Sequence, residues 1–167
     1  MQTHLQPNDP RTDFVAVEKF CKGLGLDIGP GTNKFSPTVL CTDWYQHEGV
    51  DLIWNMVHEG GRHPYPFRDN VFDFVFASHV IEDFAPDEIQ WVFDELLRMV
   101  KPNGHLVILV PDMENLRYPD WDEVFTSEDE EVKTGKRQSG ELKGNPSHRL
   151  TMGMKCMNGL VSNSKYK

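Results

Sequence analysis

Two apolar runs flanking an amphipathic helix dominate the middle of this chain. Phe72-Asp73-Phe74-Val75-Phe76-Ala77-Ser78 is apolar on both faces except at Asp73, as a strand covered on two sides must be. Ile89, Val92, Phe93, Leu96, Leu97 and Val100 then recur at i, i+3, i+4, i+7, i+8 and i+11, the stripe of a helix packed along one side. Pro86 suits the first turn of that helix, Asp87 and Glu88 its positive end, Arg98 and Lys101 its negative end, and Pro102-Asn103-Gly104 stops it. The run His105 to Val110 is the most apolar strand of the sequence, closed by Pro111. Strands joined through a helix rather than a two-residue turn pair in parallel with a right-handed crossover. The fold class expected is α/β: a doubly wound, mostly parallel sheet with helices on both faces.

The N-terminal half continues the pattern. Phe14, Val17, Phe20 and Cys21 stand at helical spacing within an entry helix, Arg11 to Lys22. Leu24 to Ile28 reads as a strand that breaks into the tight loop Gly29-Pro30-Gly31-Thr32-Asn33. Thr38 to Thr42, ending in Asp43, and Val50 to Trp54, ending in Asn55, read as two more short strands, and Met56 to Asn70 as a loop rich in glycine and proline. A length of 167 residues suits one domain. Its core is expected over about residues 12–112, followed by an acidic, solvated loop over about 113–144 and a segment, 145–167, whose apolar residues follow no firm period.

A net charge of -9 repels phosphate backbones, so nucleic acid is not an expected partner. The opening residues lack the basic start and apolar run of a signal peptide, and no segment is apolar enough to span a bilayer, so a cytoplasmic protein without membrane association is expected. Cys21, Cys41 and Cys156 are too far apart for a zinc cluster and odd in number; they read as separate reduced thiols.

In a doubly wound sheet the ligand lies beyond the carboxyl ends of the strands, where the strand order reverses. Gly29 and Gly31 stand there, able to bring backbone N–H groups close to a carboxylate or phosphate. Asp43 ends the next strand, sixteen positions after Asp27, where a carboxylate can accept hydrogen bonds from both hydroxyls of a ribose. Together they suggest a cofactor that contains a nucleoside.

Five segments, in order, sharpen this: Gly25-Leu26-Asp27-Ile28-Gly29-Pro30-Gly31; Thr42-Asp43; Tyr65-Pro66-Phe67-Arg68-Asp69-Asn70-Val71-Phe72-Asp73; Ser78-His79-Val80-Ile81-Glu82-Asp83; and Glu95-Leu96-Leu97-Arg98-Met99-Val100-Lys101-Pro102-Asn103-Gly104. Over about residues 20–112 the chain resembles the class I S-adenosylmethionine (SAM)-dependent methyltransferases, with their Rossmann-like sheet, and within them the small-molecule type. The resemblance implies that Asp27, Gly29 and Gly31 shape the pocket for the methionine part of SAM, that Asp43 holds the ribose, and that Trp44 lies against the adenine, with Met56 and Ser78 as further cofactor contacts. Two positions depart from the pattern. Asn33 stands where a third glycine is frequent, and Asn55 where an aspartate receives the adenine amino group, although an amide oxygen still accepts that bond.

Methyl transfer is an in-line displacement in which positioning supplies most of the rate. A base is needed only for a protonated acceptor, and the candidates are His79 and Glu82, just beyond the fourth strand; relatives also use a histidine here as pocket wall. His79 and Glu82 without a third ligand make no metal site. The implied function is SAM-dependent transfer to a small-molecule acceptor. The alternative is a SAM-binding module without an acceptor site, since the sequence after Pro111 supplies no convincing pair for the last two strands of the full family sheet. A nicotinamide cofactor fits less well, because the full G-x-G-x-x-G cradle is missing. A C-terminally shortened sheet leaves its fifth strand as an edge, to be covered by Leu150 to Val161 or by a second subunit in a homodimer.

Overall fold

Short runs rich in β-branched and aromatic residues pair into the expected sheet. The computed structural model describes residues 17–31, 36, 38–110, 127–128, 133–134 and 154–166. In chain order the elements are β1 (Gly25–Ile28), β2 (Leu40–Asp43), β3 (Leu52–Ile53), β4 (Val57–His58), β5 (Gly61–Arg62), β6 (Phe72–Ser78), α1 (Ile89–Met99), β7 (Val100–Leu109) and α2 (Met154–Asn163). Five of the strands form one sheet in the order β3-β2-β1-β6-β7, with every neighbouring pair parallel. The chain steps outward from β1 to β3 and then returns to the other side of β1 at β6. The order therefore reverses between β1 and β6, where a crevice opens at the strands' carboxyl ends.

The pleat of β6 divides the core. Val75 and Ala77 pack on one face with Leu26, Ile28 and the α1 stripe of Ile89, Val92, Phe93, Leu96 and Met99. Phe74 and Phe76 pack on the other with Cys21, Val39 and Val107. Each of these buried side chains contributes roughly 1.5–3 kcal/mol, less for the smallest, so β6 is the strand the fold is built on. Burial and the nearby Asp27 push the Cys21 thiol up to about 11, so it is an unreactive core side chain.

Gly25 is required by this packing. A Cβ built on it would lie 2.0 Å from Cζ of Phe74, whose ring is 1% exposed and has no room to retreat. Gly25→Ala is expected to lower stability by about 1–3 kcal/mol, read from the urea midpoint; an unchanged midpoint would show that the ring relocates freely.

Three stretches differ from the sequence reading. Within the expected loop 56–70, β4 and β5 form a hairpin whose two turn residues, Glu59 and Gly60, both have positive φ (51° and 73°). That is the two-residue connection favoured by right-handed strand twist, but glutamate is an uncommon occupant of its first position. The last strand pairs from Val100, directly after α1, and carries an irregularity before His105, with Asn103 at φ 66°. Lys101 at this bend binds Asp73 Oδ1 at 2.8 Å and, with the Leu24 N–H on Oδ2, holds that carboxyl below the usual range. Residues 154–163, without a firm period in the sequence, form α2. It packs on α1 through the buried Leu160 and through Ser164 Oγ, which donates to Asp94 Oδ1 at 2.6 Å. It lies alongside β7, with an apolar cavity between Phe93, Leu106 and Met157, and does not pair with that strand. The entry helix is described only from Val17, where Glu18–Phe20 is a short 3-10 turn, and almost all of the acidic loop lies outside the described residues. No helix among the described residues is long and apolar enough to cross a membrane.

Candidate active site

A cavity of about 510 Å³ occupies the crevice at the carboxyl ends of β1, β2 and β6. Its floor is Ile28, Gly29 and Gly31. Gly29 has φ 64°, and a Cβ built there would stand 2.5 Å from Val80 Cγ2, so only glycine lets the loop close on the opposite wall. The Gly29 N–H donates to the Thr42 carbonyl at 2.9 Å, which ties the loop to β2.

One wall rises from β2. Asp43, 6% exposed, points its carboxylate along the cavity; Oδ1 accepts the Trp44 N–H at 2.7 Å, and Oδ2 lies 2.9 Å from His47 Nε2. An ionised carboxylate has about four lone-pair sites, so each oxygen keeps one for a further donor. Trp44 and Tyr45 stand at the rim, 68% and 51% exposed, their rings edge to face. Asn55 and the buried Met56 continue this wall; Asn55 Oδ1 accepts the Val57 N–H at 3.1 Å.

Tyr65 backs the wall. Its hydroxyl shares a 2.7 Å hydrogen bond with Thr42 Oγ1, and burial pushes the phenol well above the usual tyrosine range. Its position is set from α1. Glu95 Oε1 accepts the Tyr65 N–H at 2.8 Å, while Arg98 binds both Glu95 oxygens and donates to the carbonyls of Tyr65 and Phe67 and to Asp69 Oδ1. Glu95 first, and then Asp69, hold the guanidinium firmly charged.

The facing wall follows β6. His79 has φ 55°, a left-handed conformation uncommon for a residue with a Cβ, and its N–H donates to the Leu109 carbonyl. Its ring lines the cavity, and Nδ1 lies 3.1 Å from Glu82 Oε1 in the 3-10 turn Ile81–Asp83. Glu82 is 1% exposed and lies behind the histidine, off the cavity surface. The contact is an approach within ion-pair distance and not an aligned hydrogen bond; a proton on Nδ1 would face the acidic group and leave the Nε2 lone pair for a ligand.

Of the residues singled out from the sequence, Gly29, Gly31, Asp43, Trp44, Asn55, Met56 and His79 meet around this one cavity. Asp27 and Ser78 are buried strand residues just before Gly29 and His79 and supply no part of its surface. Asn33 lies outside the described residues. Tyr65, His47 and Asp83 were not foreseen: Tyr65 and Asp83 line the cavity, and His47 stands behind Asp43. The four-residue spacing of Asp43 and His47 was a visible signal, but it lies in a loop, where spacing does not determine contact. Among the described residues, the ionisable side chains on the cavity surface are Asp43, Tyr45, Tyr65, His79, Asp83 and Glu88, with no lysine or arginine among them.

Comparison with known proteins bears on the family and the fold. Residues 26–108 match the sequence profile of a family described as a methyltransferase domain. The fold is similar to that of a SAM-dependent methyltransferase from Archaeoglobus fulgidus, at 13% identity and a TM-score of 0.61, over 91% of this chain and 65% of that one. A candidate methyltransferase from Bacillus halodurans is similar at 16% identity and a TM-score of 0.57, over 92% of this chain and 68% of that one. The chain thus spans 65% of the length of the first of these structures. No curated protein matches it in sequence.

Proposed function

We propose, since residues 26–108 are a methyltransferase domain of the class I, Rossmann-like type, that this chain binds SAM in the crevice between β1 and β6 and methylates a small-molecule acceptor. The observation that carries the reading is the buried Asp43 carboxylate, with one lone pair spare on each oxygen, facing a glycine-floored cavity of about 510 Å³. That volume lies within the roughly 300–1,000 Å³ usual for ligand sites.

The residues fit the cofactor. Asp43 accepts the ribose hydroxyls, Gly29 and Gly31 leave room for the methionine part, and Trp44 and Asn55 flank the adenine. The formal charges that the described residues bring to this surface, apart from histidine, are carboxylates, which suits a cationic ligand. Bound SAM supplies a methyl group on a sulfonium, a good leaving group. His79 takes the acceptor's proton on Nε2, and Glu82, a positioning residue, stands behind the ring. The crevice walls orient the two ligands in line.

Asp43→Ala is expected to weaken binding of S-adenosylhomocysteine by about 1–3 kcal/mol through loss of charge-assisted hydrogen bonds, measured by titration calorimetry. Unchanged affinity overturns the ribose assignment.

A second reading, a SAM-binding module without transfer, is favoured by one observation: His79 Nδ1 and Glu82 Oε1 approach to 3.1 Å without forming a hydrogen bond that would set the ring as a base. Incubation with labelled SAM and a metabolite extract separates the two. Tight cofactor binding with no labelled product favours the module.

A further inference from the structure

Asp43 is held by a residue with its own chemistry. His47 Nε2 lies 2.9 Å from Asp43 Oδ2, and His47 Nδ1 lies 3.1 Å from the Glu48 carbonyl oxygen. Both partners are acceptors with no proton to give, so both contacts are hydrogen bonds only when both ring nitrogens carry protons. An imidazolium satisfies both contacts together. A neutral ring keeps one bond and turns a lone pair toward oxygen at the other.

The pair is shielded, with side chains 14% and 5% exposed, so the interaction is stronger than one in open water. The Tyr45 ring stands against the imidazole, 5.0 Å between centroids. Among the described residues, the groups set against the ring include Asp43 at the end of β2, Tyr45 in the loop and the Glu48 backbone carbonyl. A carboxylate torsion is otherwise broad, with no strong preference for one orientation. With Trp44 N–H on Oδ1 and His47 on Oδ2, it is fixed from the protein side at both oxygens.

We propose that His47 is a positioning residue for the cofactor's ribose: as the imidazolium it clamps Asp43 so that the spare lone pairs face the ribose diol, and cofactor affinity falls as His47 loses its proton. This rests on the cavity being an adenosyl site.

The test is calorimetry of S-adenosylhomocysteine and its 2′-deoxy analogue from about pH 5.5 to 8.5, the range in which histidine titrates. Wild-type affinity for the full ligand is expected to fall roughly 3- to 10-fold as pH rises, with a smaller change for the deoxy analogue. His47→Ala should bind more weakly than the wild type at every pH and without pH dependence, because even a neutral ring can donate to Asp43 from Nε2. His47→Gln, whose amide donates without titrating, should recover part of the affinity and also be independent of pH. A wild-type affinity that does not vary with pH, or equal losses for both ligands in His47→Ala, overturns the clamp. If Asp43→Ala leaves affinity unchanged, the adenosyl site fails first and the clamp with it. If Asp43→Ala weakens binding while both His47 variants bind as wild type, the clamp alone fails.

Discussion

Replacing Arg98 with alanine is expected to cost about 3–5 kcal/mol of folding stability, the usual result of removing one member of a buried ion pair. The expectation rests on what stays behind. Glu95, with a side chain 6% exposed, would keep its charge against the Tyr65 N–H alone, and the carbonyls of Tyr65 and Phe67 would lose a common donor. The loss should appear as a fall in melting temperature of roughly 6–20 °C for a chain of this size. Asp69→Ala removes the other acidic partner, but that side chain is 62% exposed, and its pair is worth at most about 1 kcal/mol. Equal effects for the two variants would mean that the Glu95–Arg98 pair does not hold the segment leading into β6. A measured difference of the expected size also predicts a weaker cofactor site, because Tyr65 backs its wall.

His79→Asn is expected to lower the rate of methyl transfer by about 10²- to 10⁴-fold, the range for loss of a general base. Asparagine is the appropriate replacement because it tolerates the left-handed backbone, φ 55°, that alanine would strain. The loss should fall on rate far more than on affinity for S-adenosylhomocysteine, since the residues proposed to hold ribose and adenine line the opposite wall. Glu82→Gln keeps the volume of a side chain that is 1% exposed but removes the charge that faces His79 Nδ1, with an expected loss of about 10- to 100-fold. Labelled product from a metabolite extract, followed over time, reads both. Wild-type rates in His79→Asn would leave His79 as pocket wall only.

How much of this was legible in the chain depends on distance along it. The stripe from Ile89 to Val100 and the two-sided apolar run of β6 are local patterns, and the strand and helix formed there, except that Val100, the last residue of the stripe, already belongs to β7. Gly29, Gly31 and Asp43 were legible for a related reason: in a parallel sheet the carboxyl end of each strand is a known place, so residues there converge without any contact being known. The β4–β5 hairpin was not legible, because its turn uses Glu59 in a conformation that asparagine or glycine usually signals. Nor was α2, whose burial depends on Leu160 and Ser164 meeting α1 seventy residues earlier.

From the order of its residues alone, this chain determined its alternation of strands and helix, the parallel pairing that follows, and the strand ends at which the cavity opens, since each arises from periodicity and steric limits within a few neighbouring positions. Only the tertiary structure decided that Arg98 reaches back to Tyr65, that Glu82 stands behind His79 off the cavity surface, and that His47 closes on Asp43. Those are contacts made by polar and ionisable side chains. Their partners are chosen by burial and geometry after the backbone has folded, and no local period encodes them.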